Sequence, residues 1–576
     1  MGILFRYLKN YKKESVLAPL FKMLEATFEL LVPLVVAVIV DRGIAEGDKG
    51  IVIQMSLLLL GLGIVGLGCS VTAQFFSARA ATGASAEIKA SLLDKIQSMS
   101  YTALDKAGIA TLITRMTGDV SQVQTGINLT LRLLLRSPFV VVGAVAVAFT
   151  VDVPSAMIFV FTVPVLAIII FAVLLVTIPM YKKVQQRLDR VTGAVRENHT
   201  GTRVIRAFRK EAHEVGLFEE STKELLDHQK KTARISALLN PLTYAVISLG
   251  IIVLLYRGAF DVDSGRISQG ELLALHGLMS QILVELVKFA NLVITVTKSI
   301  AGAKRIEQVM HMDDTAPAVT ETGADDGCVV RFDGVSLTYS GAGDKSLDGI
   351  SFSVKRGERV GIIGGTGSGK SSLVNLIPGF YSPTEGSVRT LGTTPAASSS
   401  PELLSKIAVV PQKAVLFSGT VRSNVAVGKP DATDGEIEEA IRLAQIGELL
   451  DESRGGLDAP VLQGGRNLSG GQRQRLTVAR ALVRRPEILI LDDSASALDL
   501  ATEAALRRAV DGMKETTVFT VSQRASSVMN CDMILVLENG ELVGKGDHRQ
   551  LLESCEVYRE IYHSQFPDGE VSADEE

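Results

Sequence analysis

Residues 358–377 read ERVGIIGGTGSGKSSLVNLI, and the rest of the chain is best read outward from them. An apolar strand, Val360–Ile363, runs into Gly364-Gly365-Thr366-Gly367-Ser368-Gly369-Lys370-Ser371-Ser372 and then into a helical pattern. The spacing fits G-x-x-x-x-G-K-[ST] in its required strand–loop–helix setting. Glycines let successive backbone N–H groups converge on phosphate oxygens, and the helix start adds its positive dipole end. Lys370 is placed to reach the β- and γ-phosphates of a nucleotide, and the Ser371 hydroxyl to ligate Mg²⁺.

Further on, PEILILDD (486–493) is a buried strand pattern ending in two carboxylates. An aspartate at such a strand end, here Asp492, is the expected partner for Mg²⁺ beside a phosphate loop. Between the two elements lies Leu468-Ser469-Gly470-Gly471-Gln472, followed by the helical pattern RQRLTVARALVR. Short apolar strands alternate with helical patterns throughout this half, as in an α/β domain. Its expected extent is 329–566, with a linker over 301–328 and an acidic tail over 567–576.

The first 300 residues have a different character. The chain has 576 residues, enough for about four domains, with 47% hydrophobic and only 21% charged residues. Its mean hydropathy is +0.28. Six apolar segments reach the length of about 20 residues that spans a bilayer core: 17–41, 51–76, 131–150, 154–180, 236–258 and 271–297. Lys and Arg crowd the amino-terminal arm and the 181–235 connection, whereas the alternate connections are short and poor in them, which places both chain ends in the cytoplasm. Glu25, Glu29 and the lack of a small-residue cleavage site argue against a signal peptide. The two long connections, 77–130 and 181–235, have helical patterning. The membrane helices are therefore expected to continue well into the cytoplasm before the chain reverses. Pro33, Pro138, Pro164 and Pro241 mark expected bends.

Charges inside a span are costly, so Glu25 and Glu29, four apart on one helical face, should point at protein or at a water-filled cavity. The same holds for His276 and Glu285. A packing interface and a substrate or proton site both remain open for these four. The 59 Lys+Arg against 63 Asp+Glu give a net charge of −4, without the basic excess that grips nucleic acid. Four scattered cysteines without a CxxC pair exclude a disulfide scaffold or a cysteine-built metal centre.

LSGGQ between the two nucleotide motifs resembles the signature of the ATP-binding-cassette (ABC) family. Six membrane segments with long cytoplasmic extensions resemble its exporter-type half-transporters, and the likeness covers essentially the whole chain. ITRMTGDVSQVQ and FRKEA after GTRVIRA resemble that family's coupling regions. The resemblance implies a type IV exporter: a six-helix transmembrane domain followed by a P-loop nucleotide-binding domain in the cytoplasm, in a bacterial-type inner membrane, using ATP and Mg²⁺. It implies that Tyr339 stacks on adenine, that Gln412 touches Mg²⁺ and water, and that Asp499 belongs to a loop crossing a dimer contact. The signature, 468–472, would bind ATP held by a second half-transporter.

The chain departs from the family pattern at two positions. Asp493 stands where the family usually has Glu as the base that polarises attacking water, and Gln523, in TVFTVSQR, stands where it has His. Asp is one methylene shorter, and Gln cannot bear the charge. Together they imply slow hydrolysis at this chain's own site and a heterodimer partner that supplies Glu and His. A hydrophobic drug, lipid or peptide is the expected cargo. Import of a metal–chelate compound on the same architecture, or an ATP-gated regulator or channel, are the alternatives.

Overall fold

In the computed structural model, which describes residues 6–312, 327–339, 341–394, 401–451, 453, 455–494 and 498–566, the chain divides into two units. The first holds residues up to Asp94 together with Ala110–His311; the second holds Lys95–Ile109 with everything from Met312 onward. The expected acidic tail and half of the expected linker lie outside the described residues; residues 301–310 of that linker continue the helix Gln269–Met310.

Among the described residues of the first unit, six helical stretches are long and apolar enough to cross a membrane. Its main helices are α1 (Lys12–Val38), α2 (Lys49–Ser98), α3 (Val120–Leu133), α4 (Arg136–Val151), α5 (Val153–Ala207), α6 (Glu211–Ala237), α7 (Leu239–Asp263) and α8 (Gln269–Met310). The 55 residues of α5 run for about 80 Å at 1.5 Å per residue. That is more than twice a hydrocarbon core of about 30 Å. The helices thus continue past the apolar spans, as the patterning predicted.

Two prolines set breaks. Pro138 has no N–H to give the carbonyl of Leu134, and the helix is interrupted at Leu134–Leu135 before α4 begins. Pro241 stands in the same relation to Ala237, where α6 ends. Pro33 and Pro164, by contrast, lie inside continuous helices. Polar caps fix the remaining ends. Asp152 accepts from the Ser155 N–H at 2.9 Å to start α5, and a Ser268–Glu271 capping box starts α8. Asp41 accepts from the Gly270 N–H at 2.7 Å, tying the end of α1 to the start of α8. The core between α1, α4, α5, α7 and α8 is apolar, with Leu30, Val140, Phe159, Leu254 and Met279 buried. The apolar window of α2 is wholly unburied, as befits a lipid-facing surface.

The second unit is built on strands β1 (Cys328–Leu337), β2 (Leu347–Lys355), β3 (Arg359–Gly364), β4 (Glu385–Thr390), β5 (Ile407–Val410), β6 (Ile488–Asp492), β7 (Thr517–Val521), β8 (Met533–Glu538) and β9 (Glu541–Gly546). Strands β2-β1-β4 pair antiparallel. A six-stranded sheet runs β9-β8-β3-β7-β6-β5, parallel except for the β8–β9 hairpin. β6 is buried along its whole length and β3 along all but its first residue, as parallel strands covered on both faces must be. Helices α9 (Lys370–Leu376), α10 (Gly470–Leu482), α11 (Leu500–Asp511), α12 (Ala525–Val528) and α13 (Glu556–Gln565) complete the elements used below. The short helix Tyr101–Ala107 also belongs to this unit: Tyr101 stacks on Phe380 with ring centroids 4.5 Å apart, and Tyr381 Oη donates to Asp105 Oδ2 at 2.7 Å.

Candidate functional site: a nucleotide cavity at the carboxyl ends of the parallel strands

The phosphate loop leaves β3 at Gly364 and enters α9 at Lys370. Gly369 takes φ +97°, and a Cβ there would stand 2.6 Å from the Ser346 carbonyl, so a side chain is excluded by both backbone and space. Lys370 is buried and folds back over the loop, donating from Nζ to the carbonyls of Gly364 at 2.9 Å and Gly365 at 2.6 Å. Burial lowers the Lys370 pKa, against the pull of Asp493 and Asp492.

Three neighbouring strands deliver the other groups. Asp492 ends β6, and its Oδ1 accepts from Ser371 Oγ at 3.0 Å. Burial raises the Asp492 pKa, the Ser371 hydrogen bond opposing and the Asp493 charge assisting. Asp493 follows with φ +45°, a left-handed backbone that Asp adopts more readily than most side chains. Its N–H donates to the Val521 carbonyl at 3.0 Å. Gln412, two residues past β5, donates from Nε2 to Asp493 Oδ2 at 3.3 Å. Gln523, two residues past β7, lines the same cavity, which has a volume of about 630 Å³ and also contains Thr366–Ser372 and Asn539. Sequence reading had no signal for Asn539 or Ser346, which come from loops without a motif.

Tyr339 reaches this loop indirectly. Its Oη donates to Ser372 Oγ at 3.0 Å, and its ring meets the edge of Tyr381 at 5.0 Å. Burial raises the Tyr339 pKa. Tyr381 and Asp105 escaped the sequence reading because 276 residues separate them and neither lies in a motif.

The signature is placed elsewhere. Ser469 Oγ accepts from the Gln472 N–H at 3.2 Å while Gln472 Oε1 accepts from the Ser469 N–H at 3.0 Å, a reciprocal capping box that starts α10. Leu468 is half-buried, Ser469 and Gly470 are exposed, and Gly471 follows in the first turn. Among the described residues, none of the five lines the phosphate cavity. Asp499 caps α11 in the same manner, with Oδ1 accepting from the Thr502 N–H at 2.9 Å, and that bond holds its carboxyl below the usual range.

The four polar candidates of the first unit separate. Arg136 is buried and bridges two of them, donating from Nη1 to Glu285 Oε1 at 2.6 Å and from Nη2 to Glu29 Oε2 at 2.5 Å. Lys288 and Ser137 also donate to Glu285, at 2.8 and 3.1 Å. Arg136 and Glu285 lie 15 and 16 residues from the helix ends at Val151 and Gln269, hence at a common depth of about 23 Å. Glu25 pairs with Lys22 instead, at 2.6 Å. His276 lies nine residues from Glu285 along α8, about 13 Å away. Arg136 carries no sequence signal of its own, although it bridges two glutamates of other helices.

The sequence matches the family description "ABC transporter transmembrane region" over residues 15–286 and "ABC transporter" over 347–496. It is 34% identical over 565 residues to an uncharacterized ABC transporter ATP-binding protein, YfiB, of Bacillus subtilis, covering 97% of this chain and 98% of that one. This chain belongs to the ABC transporters. It is also 30% identical over 580 residues to the putative multidrug export ATP-binding/permease protein YgaD of B. subtilis, covering 98% of this chain and 99% of that one. A bacterial Atm1-family ABC exporter with ATP bound has the same fold, with a TM-score of 0.80 at 21% identity over 97% of this chain and 99% of that one.

The transporter is an ATPase that couples hydrolysis to transport through a multi-pass membrane domain of the exporter-type fold. ABC ATPases work with Mg²⁺, and the donor set fits it. A hydroxyl, a carboxylate and a side-chain amide oxygen from Ser371, Asp492 and Gln412 are the hard oxygen donors that Mg²⁺ prefers. When bound, the ion would neutralise charge on the β- and γ-phosphate oxygens.

Proposed function

We propose that this transporter is one half of a heterodimeric exporter in the inner membrane of a bacterial-type cell, and that it carries the slower of two ATP sites. One juxtaposition carries the reading: a complete phosphate-binding apparatus faces Asp493 and Gln523 across the same cavity. The loop amides and Lys370 hold the phosphates, and Ser371 with Asp492 orients the metal end. What departs from the family pattern is the pair that would handle the attacking water. Asp493 is a methylene short of Glu and is engaged by Gln412 at 3.3 Å, and Gln523 offers a hydrogen bond but no charge. A well-placed general base contributes roughly 10²–10⁴ in rate, so loss of its reach slows the step without weakening binding.

The exposed signature supports action in trans. Ser469 and Gly471 sit at the start of α10, outside this chain's own phosphate cavity, where the helix dipole favours an anion brought by a partner. ATP then clamps two nucleotide domains head to tail, and differential binding of ATP and cargo to the two states drives the alternation of the membrane cavity. Similarity to YgaD, a putative multidrug export protein, and to YheI of B. subtilis, a probable multidrug resistance ABC transporter that is 34% identical over 404 residues, favours an amphipathic or hydrophobic cargo such as a drug, lipid or peptide. The Atm1-family exporter fold favours export over uptake.

The test is ATP turnover of the purified chain alone, then with Asp493→Glu plus Gln523→His. Slow turnover with retained ATP binding, raised about tenfold or more by the double substitution, is expected. Brisk turnover by the unmodified chain would make it a working homodimer instead.

A further inference from the structure

Gln523 stands in the phosphate cavity, yet the backbone that aims it is held from helices remote from the phosphate loop. The side-chain amide of Gln565, the last residue of α13, bridges that backbone. Its Nε2 donates to the Gln523 carbonyl at 2.8 Å, and its Oε1 accepts from the Ala525 N–H at 2.8 Å. One planar amide thus spans Arg524 and fixes both peptide groups around it. From the other side, α11 supplies two more holds. Arg507 Nη1 donates to the Ser526 carbonyl at 2.6 Å. Glu503 is buried and accepts from Ser527 Oγ at one oxygen and from Arg524 Nη1, at 3.2 Å, at the other.

Every residue from 523 to 527 is therefore gripped by a side chain of α11 or α13. Packing shares this work: Leu506 and Val510 of α11 and Val518 of β7 lie in one buried core, with a cavity of about 60 Å³ beside them. The polar contacts of Glu503 and Arg507 add directional links from α11 to residues 524, 526 and 527. Glu503 lies four residues after Asp499, the residue that caps α11.

We infer that Gln565 and Glu503 are positioning residues for position 523, setting where its side chain stands at the phosphate end of the ATP site. The inference rests on the reading that residue 523 acts there. The two are tested separately by a double-mutant cycle on the full-length chain. Gln523→Ala alone tests the reading. Gln565→Ala, made in the native chain and again in Gln523→Ala, tests the inference. Single-turnover hydrolysis of radiolabelled ATP, followed for hours, keeps a slow site measurable.

Gln565 lies at the surface, so its truncation leaves the core intact. In the native chain, Gln565→Ala is expected to lower the hydrolysis rate about fivefold with ATP affinity within twofold, as a small misplacement of a catalytic group does. In Gln523→Ala it is expected to cost nothing further. Glu503→Gln, which keeps the shape and the Ser527 contact but not the charge facing Arg524, should show the same non-additivity. Equal losses in both backgrounds, or a loss confined to ATP affinity, would overturn the inference. A Gln523→Ala chain that hydrolyses at the native rate would instead sink the reading beneath it.

Discussion

Ser371 Oγ donates to Asp492 Oδ1 at 3.0 Å, joining the first turn of α9 to the end of β6. The contact places a hydroxyl and a carboxylate side by side where a metal–nucleotide must arrive. It also sets a pH dependence. Burial raises the Asp492 pKa, and Mg²⁺ takes only the ionised form, so protons compete with the metal. Mg²⁺ affinity should fall on the order of tenfold per pH unit once the pH drops below the raised pKa of Asp492. Titration of Mg²⁺-dependent nucleotide binding from neutral to acid pH checks this, and a flat response refutes it.

The same shift has a stability consequence of opposite sense. An acid whose folded pKa is raised costs stability as the pH rises from its unfolded value through its folded one. Without nucleotide, Asp492→Asn should therefore melt at a higher temperature than the native chain at neutral pH and at the same temperature below about pH 3.9. Its Mg²⁺-dependent turnover should be lost.

Lys370 is held by two loop carbonyls, which replace part of the water that burial strips from it. Lys370→Met keeps the stem and removes the charge. ATP binding should weaken by at least tenfold, the loss of one charge-assisted contact of about 1.5–3 kcal/mol. Thermal stability without ATP should change by less than the binding does. Isothermal titration and a melting curve on one preparation separate the two.

In the membrane unit, Arg136 answers Glu285 and Glu29, and Lys288 also reaches Glu285. Breaking a buried pair from one side is costlier than replacing it whole. Arg136→Met should destabilise the protein by about 3–5 kcal/mol, and adding Glu285→Met with Glu29→Gln should recover a large part of it. Melting in detergent or nanodiscs reads the difference. A triple variant no more stable than the single one would show that the cluster is not a structural tie.

Tyr381 Oη is the hydrogen-bond donor to Asp105 in the short helix 101–107. Tyr381→Phe removes that bond and keeps the edge-to-face contact with Tyr339. Helix 101–107 should exchange its amides faster, by about 0.5–1.5 kcal/mol of lost protection, with ATP affinity unchanged. Hydrogen exchange of that peptide is the measurement.

The chemistry of the nucleotide site was legible in the sequence because each motif is local. Gly364–Ser371, 468–472 and PEILILDD carry their meaning in consecutive residues, and the backbone rules for glycine, strand and helix start act over the same few positions. The six spans were legible for a similar reason, since a bilayer reads only length and apolarity along one helix. Of the four prolines expected to bend helices, Pro138 and Pro241 coincide with interruptions and Pro33 and Pro164 lie inside continuous helices, so the missing N–H marks a weak point that the neighbouring packing decides.

Nothing local brings Gln412, Asp492, Asp493 and Gln523 to one cavity. That is decided by the strand order β3-β7-β6-β5, which lines up four carboxyl ends from segments spread over more than 100 residues of chain. Open parallel sheets bind ligands at that edge because the strands all finish there. Arg136 with Glu285, Tyr381 with Asp105 and Gln565 with Gln523 have the same character. Each joins residues far apart in the chain, and ordinary side chains acquire a role only when packing and hydrogen bonding force them to meet. The sequence by itself determined the groups available and the elements that carry them; tertiary structure alone decided which of them share a site.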